Sequence, residues 1–259
     1  MNKITAAITG VQGYVPEHVL SNEDLTKIVD TSDEWITTRT GIKERRIMKN
    51  GASSDMAAEA VKSLLKKKNI DPLEIELVVL ASVTPDHLFP STANILCDKV
   101  GMTNAWGFDL LAACSGFLFA LTTASQFIEN GRYKKVLVVG VDKMSSIVDY
   151  TDRTTCIIFG DGAGAVILEK SEKGWIYSEL QANGSGTGMT GFKQPLNEPF
   201  IMNAKEVWQQ AVSVLPDSIN QVLLNTNTSI DEISMLVPHQ PSINILKTIA
   251  NDINLPMTK

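Results

Sequence analysis

Apolar positions along this chain fall into short runs and into longer stretches of helical period. The densest runs are Ile75–Val83, Trp106–Ala112, Lys135–Val141 and Ala163–Glu169, with Val136-Leu137-Val138-Val139 as the plainest case. Continuous β-branched runs of this length suit strands buried on both faces. Less regular runs add expected strands at Lys3–Gly10, Cys156–Phe159, Gly174–Gln181 and Ile233–Pro238. Helical patterns lie between them, at Asn22–Val29, Asp55–Lys68, Thr92–Val100, Ser115–Asn130, Ala204–Leu224 and Ser242–Ile253. Ser21 is a suitable N-cap for the first. A further helix opens at Thr31-Ser32-Asp33-Glu34, where Thr and Glu have capping-box spacing. Strands alternating with helices predict an α/β protein with a mostly parallel sheet.

Two segments echo each other. Phe89-Pro90-Ser91-Thr92-Ala93-Asn94-Ile95-Leu96 and Gln240-Pro241-Ser242-Ile243-Asn244-Ile245-Leu246 each follow an apolar strand and read as proline turn, Ser cap and helix. The echo suggests two related halves, 1–170 and 171–259, joined near Glu169–Gly174. The segment Asn183–Gly188 reads as a glycine-rich connecting loop. Gly160-Asp161-Gly162-Ala163-Gly164 invites a phosphate-loop reading, but the Lys-Ser/Thr ending is missing and an apolar run follows. A glycine-rich bend between two strands fits it better.

Composition narrows the setting. The 259 residues are 44% hydrophobic and 20% charged, with a net charge of −6, so nothing draws the chain as a whole to nucleic acid or anionic lipid. The three cysteines, Cys97, Cys114 and Cys156, have neither the number nor the spacing of a disulfide framework or a zinc site. No signal-peptide core and no membrane-length apolar run is present, and a reducing cytoplasm is the expected location.

The chemistry centres on Cys114. It ends the apolar run Trp106–Ala113 and is followed at once by the amphipathic stretch Gly116–Asn130. A thiol at a strand-to-helix turn lies near backbone N–H groups and the positive end of a helix, which should lower its pKa and favour the nucleophilic thiolate. A lone cysteine in apolar surroundings is more often a buried structural residue. His239, just past the apolar run Ile233–Pro238, stands where α/β proteins place ligands, although His18 and His87 are available too. Arg39, Lys43, Arg45 and Arg46 cluster beside Trp35, and Arg153 is an isolated cation farther on. Cations next to an aromatic could hold a phosphorylated, adenine-bearing group; alone they would read as a solvated basic turn.

Taken in order, Thr31-Ser32-Asp33-Glu34-Trp35-Ile36, Arg39-Thr40-Gly41-Ile42, Phe89-Pro90-Ser91, Ala112-Ala113-Cys114-Ser115-Gly116-Phe117, Thr151-Asp152-Arg153, Phe159-Gly160-Asp161-Gly162-Ala163-Gly164 and Val237-Pro238-His239-Gln240 form a specific set. The chain resembles β-ketoacyl-acyl-carrier-protein synthase III, the initiating condensing enzyme of the thiolase fold. That resemblance implies two pseudo-symmetric halves in a layered α/β/α/β/α core. It implies Cys114 as acyl acceptor and His239 as its partner in decarboxylative condensation. Trp35 and Arg153 would sandwich the adenine of coenzyme A, with Arg39 near its phosphates. Phe89 would reach into a partner subunit's acyl pocket and Phe159 would line the substrate pocket. The implied partners are acyl-CoA, malonyl-acyl-carrier protein and a second copy of the chain. No cofactor or metal is implied beyond the coenzyme A of the substrate.

Two departures stand out. The family's catalytic asparagine and its glycine-rich final strands find no counterpart before Lys259, so the second half is expected to be incomplete relative to the family. The helix after His239 keeps one cation, Lys247, and gains Asp252, while Gln209 and Gln210 stand in the neighbouring helix; Lys205 and Lys247 are the remaining candidates for docking an acidic carrier. The thin basic patch leaves room for a specialised-metabolite enzyme with a non-carrier acceptor. The missing asparagine leaves room for a non-catalytic partner subunit.

Overall fold

The computed structural model describes residues 5–172, 176–186, 188–191 and 200–259. In chain order the strands are β1 (Thr5–Tyr14), β2 (Val19–Ser21), β3 (Glu44–Arg46), β4 (Leu77–Ala81), β5 (Trp106–Leu110), β6 (Lys135–Lys143), β7 (Asp161–Ser171), β8 (Thr190–Gly191) and β9 (Ile201–Met202). The helices are α1 (Asn22–Thr26), α2 (Asp33–Thr40), α3 (Ser53–Lys68), α4 (Thr92–Val100), α5 (Gly116–Glu129), α6 (Ala204–Thr226) and α7 (Ile243–Asp252). The chain divides into two compact units that interleave in sequence. One holds Met1–Val19, Arg46–Ser146 and Gly160–Ile176; the other holds Leu20–Arg45, Ile147–Phe159 and Tyr177–Lys259.

The first unit is built on a five-stranded sheet of order β1-β7-β6-β4-β5. Period-two alternation sends successive side chains to opposite faces. Val78 and Leu80 of β4 therefore join Leu137 and Val139 of β6 against Met56, Val61 and Leu64 of α3 and Leu96 of α4. Leu77, Val79 and Ala81 face the other way, with Val136 and Val138, against Ala120, Ala124 and Ile128 of α5. Every residue of β4 is buried, and each large one contributes about 1.5–3 kcal/mol by leaving water. This is why these runs carry no polar alternation.

The sheet is mixed rather than mostly parallel. β4 runs parallel to β5 and to β6, whereas β7 is antiparallel to both β6 and β1. A parallel return needs a crossover, usually a helix. Between β6 and β7 the only helical segment is a single 3-10 turn, Met144–Ser146, so the chain comes back antiparallel. The glycine-rich segment at Gly160–Gly164 is not a bend between strands: Asp161 to Gly164 already belong to β7, where Gly164 lies opposite Gly13 and Gly140. The buried Asp161 carboxylate accepts from the Met48 and Ser145 N–H groups at 2.7 and 2.8 Å, a structural pin rather than a phosphate cradle.

The second unit has two apolar clusters. Leu25, Ile36, Cys156 and Ile157 form one; Ile245, Ile249, Ile253 and Leu255 pack with Leu215 and Ile219 of α6 in the other. Arg45 is buried beside the first. Its guanidinium donates to the Ile157 carbonyl and to Asn22 Oδ1.

Several expected elements of this unit take another form. Cys156–Phe159 is turn and irregular chain, not strand. The Asp149 and Asp152 carboxylates accept the Thr151 and Thr154 N–H groups at 2.8 and 2.9 Å, and such Asx turns wind the chain before a ladder can form. Its apolar side chains still go to the core. Ile233–Pro238 is irregular after the 3-10 turn Ile230–Glu232, and Met235 and Val237 are exposed. Of the strand expected at Gly174–Gln181, residues 176–181 are irregular, and residues 174–175 lie outside the described set, as do the first two residues expected in Lys3–Gly10. The expected junction Glu169–Gly174 also runs into residues 173–175. The Thr31 capping box does not form: Ser32 caps α2 by accepting the Trp35 N–H at 3.1 Å, and the Thr31 hydroxyl is buried without a partner. Both echoed serines do cap helices, Ser91 for α4 and Ser242 for α7.

Candidate active site

Cys114 lies in the first unit, within the 3-10 turn Ala113–Ser115 that joins the end of β5 to α5. Ala113 just before it has φ 46°, a left-handed conformation that costs a non-glycine residue of order 1 kcal/mol and recurs where a turn presents a side chain. The Ser115 N–H donates to the Ala112 carbonyl at 3.1 Å and closes the turn. Gly116 lets α5 start close to the sheet, since a Cβ there would stand 3.1 Å from that of Ala81. The result is one exposed cysteine, Cys114, against two buried ones, Cys97 and Cys156.

The electrostatics at Cys114 run against the sequence expectation. Desolvation, followed by the charge of Asp142, pushes the thiol pKa up, and the backbone hydrogen bond that opposes them is weaker. Loss of hydration by the thiol outweighs what the backbone of the turn returns to it. Asp142, which carried no signal in the sequence, sits at the end of β6. Its Oδ1 accepts from Val83 N–H at 2.8 Å, Ser82 Oγ at 3.1 Å and Thr84 Oγ1 at 3.2 Å. Burial raises its pKa. Burial pushes the Cys97 thiol further still, up to about 11.

His239 lies in the second unit, exposed, three residues before the Ser242 cap of α7. Desolvation of the ring lowers its pKa below the usual imidazole value. A lowered histidine pKa means a neutral ring at pH 7, able to donate from one nitrogen and accept at the other.

Three of the expected residues meet within this second unit. Trp35 and Arg39 sit one turn apart on α2, and the Arg39 guanidinium lies 5.6 Å from the Trp35 ring centre. Arg153, from far along the chain, lies 5.3 Å from the same ring. Its Nη1 donates to the Asp30 carbonyl at 2.9 Å and faces the Asp30 carboxylate at 3.6 Å. Asp30 was not foreseen. Arg45 of the basic cluster is withdrawn into the core and faces no ligand. α2 is tied to α7, the helix after His239: Asn244 Nδ2 donates to the Arg39 carbonyl at 3.1 Å. Gly41, at φ 80°, lets α7 approach, because a Cβ there would stand 3.1 Å from that of Ile243.

Phe159 packs edge-on against Phe200, with ring centres 5.3 Å apart. Phe200 also lines a shallow cleft with Asp149, Asp152, Met202 and Asn203. No pattern in the sequence pointed to it. Residue 187 of the Asn183–Gly188 loop lies outside the described set, as do residues 192–199. Phe89, in the first unit, is 85% exposed beside Leu88 and precedes a cis proline. Lys205 and Lys247 are exposed on α6 and α7. Among the described residues no cluster of His, Cys, Asp or Glu is arranged to hold a metal, and no helix is long and apolar enough to cross a membrane.

Comparison with known proteins agrees with this layout. Residues 108–184, which include the Cys114 turn, match the family model for 3-oxoacyl-[acyl-carrier-protein (ACP)] synthase III. The chain is 45% identical to β-ketoacyl-[acyl-carrier-protein] synthase III 2 of Bacteroides thetaiotaomicron, over 100% of this chain and 82% of that protein. It is 45% identical to the synthase III of Clostridium acetobutylicum, over 97% of this chain and 82% of that one. The crystal structure of the synthase III of Aquifex aeolicus superposes with a TM-score of 0.95 at 41% identity, covering 98% of this chain and 82% of the other. The chain has the thiolase fold and belongs to the 3-oxoacyl-[acyl-carrier-protein] synthase III family, the condensing acyltransferases that initiate fatty acid synthesis.

Proposed function

We propose that this enzyme works by two half-reactions through Cys114. In the first, the Cys114 sulfur attacks the thioester carbonyl of an acyl-CoA. A new C–S bond forms, the bond to the coenzyme A sulfur breaks, and coenzyme A leaves as its thiolate. In the second, malonyl-acyl-carrier protein loses CO2, and the electron pair of the broken C–C bond becomes an enolate. That carbon attacks the acyl-Cys114 carbonyl, and the Cys114 thiolate leaves as the β-ketoacyl product forms. Decarboxylation supplies the carbanion without a strong base, and storing the acyl group on sulfur gives ping-pong order.

The observation that carries this reading is the single exposed cysteine on a strand-to-helix turn. Because its pKa is raised, the thiol does not ionise unaided near neutral pH, and its proton must be accepted as the acyl group arrives. That proton leaves with the departing coenzyme A thiolate. To His239, whose lowered pKa keeps it neutral, we assign the donation of a hydrogen bond to the enolate oxygen in the condensation half-reaction. Trp35, Arg39 and Arg153 hold the adenine end of coenzyme A. Arg153 lies 5.3 Å from the indole centre, closer than a stacked base between them would permit, so it swings aside to admit one. Phe159 and, from a second copy of the chain, Phe89 border the acyl group. Lys205 and Lys247 meet the acidic carrier. The halves 1–170 and 171–259 carry the cysteine and the histidine, no cofactor is needed beyond the coenzyme A of the substrate, and the free thiols suit a reducing cytoplasm.

The test is a two-step chase. Protein incubated with radiolabelled acyl-CoA should retain label and release it as a β-ketoacyl thioester when malonyl-acyl-carrier protein is added. His239→Ala should take up label and fail to release it; release at the wild-type rate would refute the role given to His239.

A further inference from the structure

We propose that Ser54, Asp86, Lys99 and Asp55 form a clamp that sets the position of the 87–90 tip, and so tune which acyl chains the enzyme accepts. They are positioning residues. The inference rests on the reading of Phe89 as an acyl-pocket residue.

The tip is apolar and open: Leu88 is 79% and Phe89 85% exposed. Its base is the reverse. The Asp86 carboxylate accepts the Ser54 N–H at 2.9 Å and the Ser54 hydroxyl, while the Asp86 N–H donates to Thr92 Oγ1 at 3.0 Å. Ser54 Oγ in turn accepts Lys99 Nζ at 2.7 Å. Lys99 pairs with Asp55, whose second oxygen accepts the Ala52 N–H at 2.8 Å. One residue earlier in α3, Ser53 Oγ donates to the Thr84 carbonyl at 2.6 Å. On the far side of the tip, Asp109 accepts the Thr92 and Ala93 N–H groups at 2.7 and 2.8 Å.

Ser54 and Thr92 are fully buried and Ser53 is 2% exposed. Burying polar groups is costly unless each is paired, and a plain surface turn has no need of it. What the arrangement supplies is an apolar tip whose backbone is fixed before anything binds. A contact delivered by a rigid element loses less to ordering than one on a loose loop. It also holds a hard boundary against a growing acyl chain, and hydrophobic pockets discriminate single methylenes only through such boundaries.

The test compares kcat/KM for acetyl-CoA and hexanoyl-CoA in the full-length enzyme and its Phe89→Ala, Ser54→Ala, Asp86→Asn and Ser54→Ala/Phe89→Ala variants. Protection of the buried Cys97 and Cys156 from iodoacetamide reports that each is folded, and Lys99→Met replaces any that is not. Phe89→Ala should shift the chain-length ratio; no shift would remove the Phe89 reading and the inference with it. Given that shift, Ser54→Ala and Asp86→Asn should move the ratio the same way by roughly tenfold, and the double variant should go no further than Phe89→Ala alone. If Phe89→Ala shifts the ratio while the clamp variants leave it unchanged, or add to it independently, the clamp is overturned and the Phe89 reading stands.

Discussion

The turn at Cys114 and the arginine clamp at Trp35 are held by different forces. The turn hangs between two packed elements: the half-buried β5, in register with the fully buried β4, and α5, seated against Ala81 through Gly116. Its geometry is fixed by packing, and the strain at Ala113 is carried by that frame. The clamp is a surface arrangement of one indole and two guanidiniums, with an ion pair to a fully exposed Asp30. Such contacts are worth about 0.5–1 kcal/mol each at exposed sites. A rigid frame suits bond-making, where small displacements are costly. A weakly held clamp suits a site whose occupant comes and goes.

Variants can break that contrast. The largest effect should follow damage to the frame. A Cβ on Gly107 of β5 would stand 2.9 Å from both the Val78 carbonyl and the Ala93 Cβ. Gly107→Val should therefore lose about 2–3 kcal/mol in urea unfolding, and acylation should fall with the folded fraction. A midpoint equal to wild type would show that the turn does not depend on this packing. Trp35→Ala comes next. It should raise KM for acyl-CoA about tenfold with kcat nearly unchanged, since it removes binding shared by ground and transition states, and lower the unfolding free energy by about 1–2 kcal/mol, because the half-buried indole also packs against the Leu25 and Ile36 cluster. An equal loss in kcat would put Trp35 among the groups that position the reacting carbonyl.

Legibility divides along the same line. The frame was readable because β4 and the 136–139 stretch of β6 are unbroken apolar runs, and because α5 changes the period at once after Cys114. The Trp35–Arg39 pair was readable as one helical turn. Arg153 was not, since it approaches only through the tertiary fold and entered by resemblance alone. Cys156–Phe159 misled because its side chains are core residues while the Asp149 and Asp152 side chains bend its backbone. The thiol pKa misled because a helix start was visible in sequence, whereas the desolvation and the Asp142 carboxylate, 28 residues on, were not.

The central claim is that one sulfur among three is the acyl acceptor. Incubation with acetyl-CoA, digestion and peptide mass mapping measures it directly. The acetyl mass should appear on the peptide carrying Cys114 and on neither of those carrying Cys97 or Cys156. A stable thioester on either buried cysteine, or full acylation of Cys114→Ala, would contradict it.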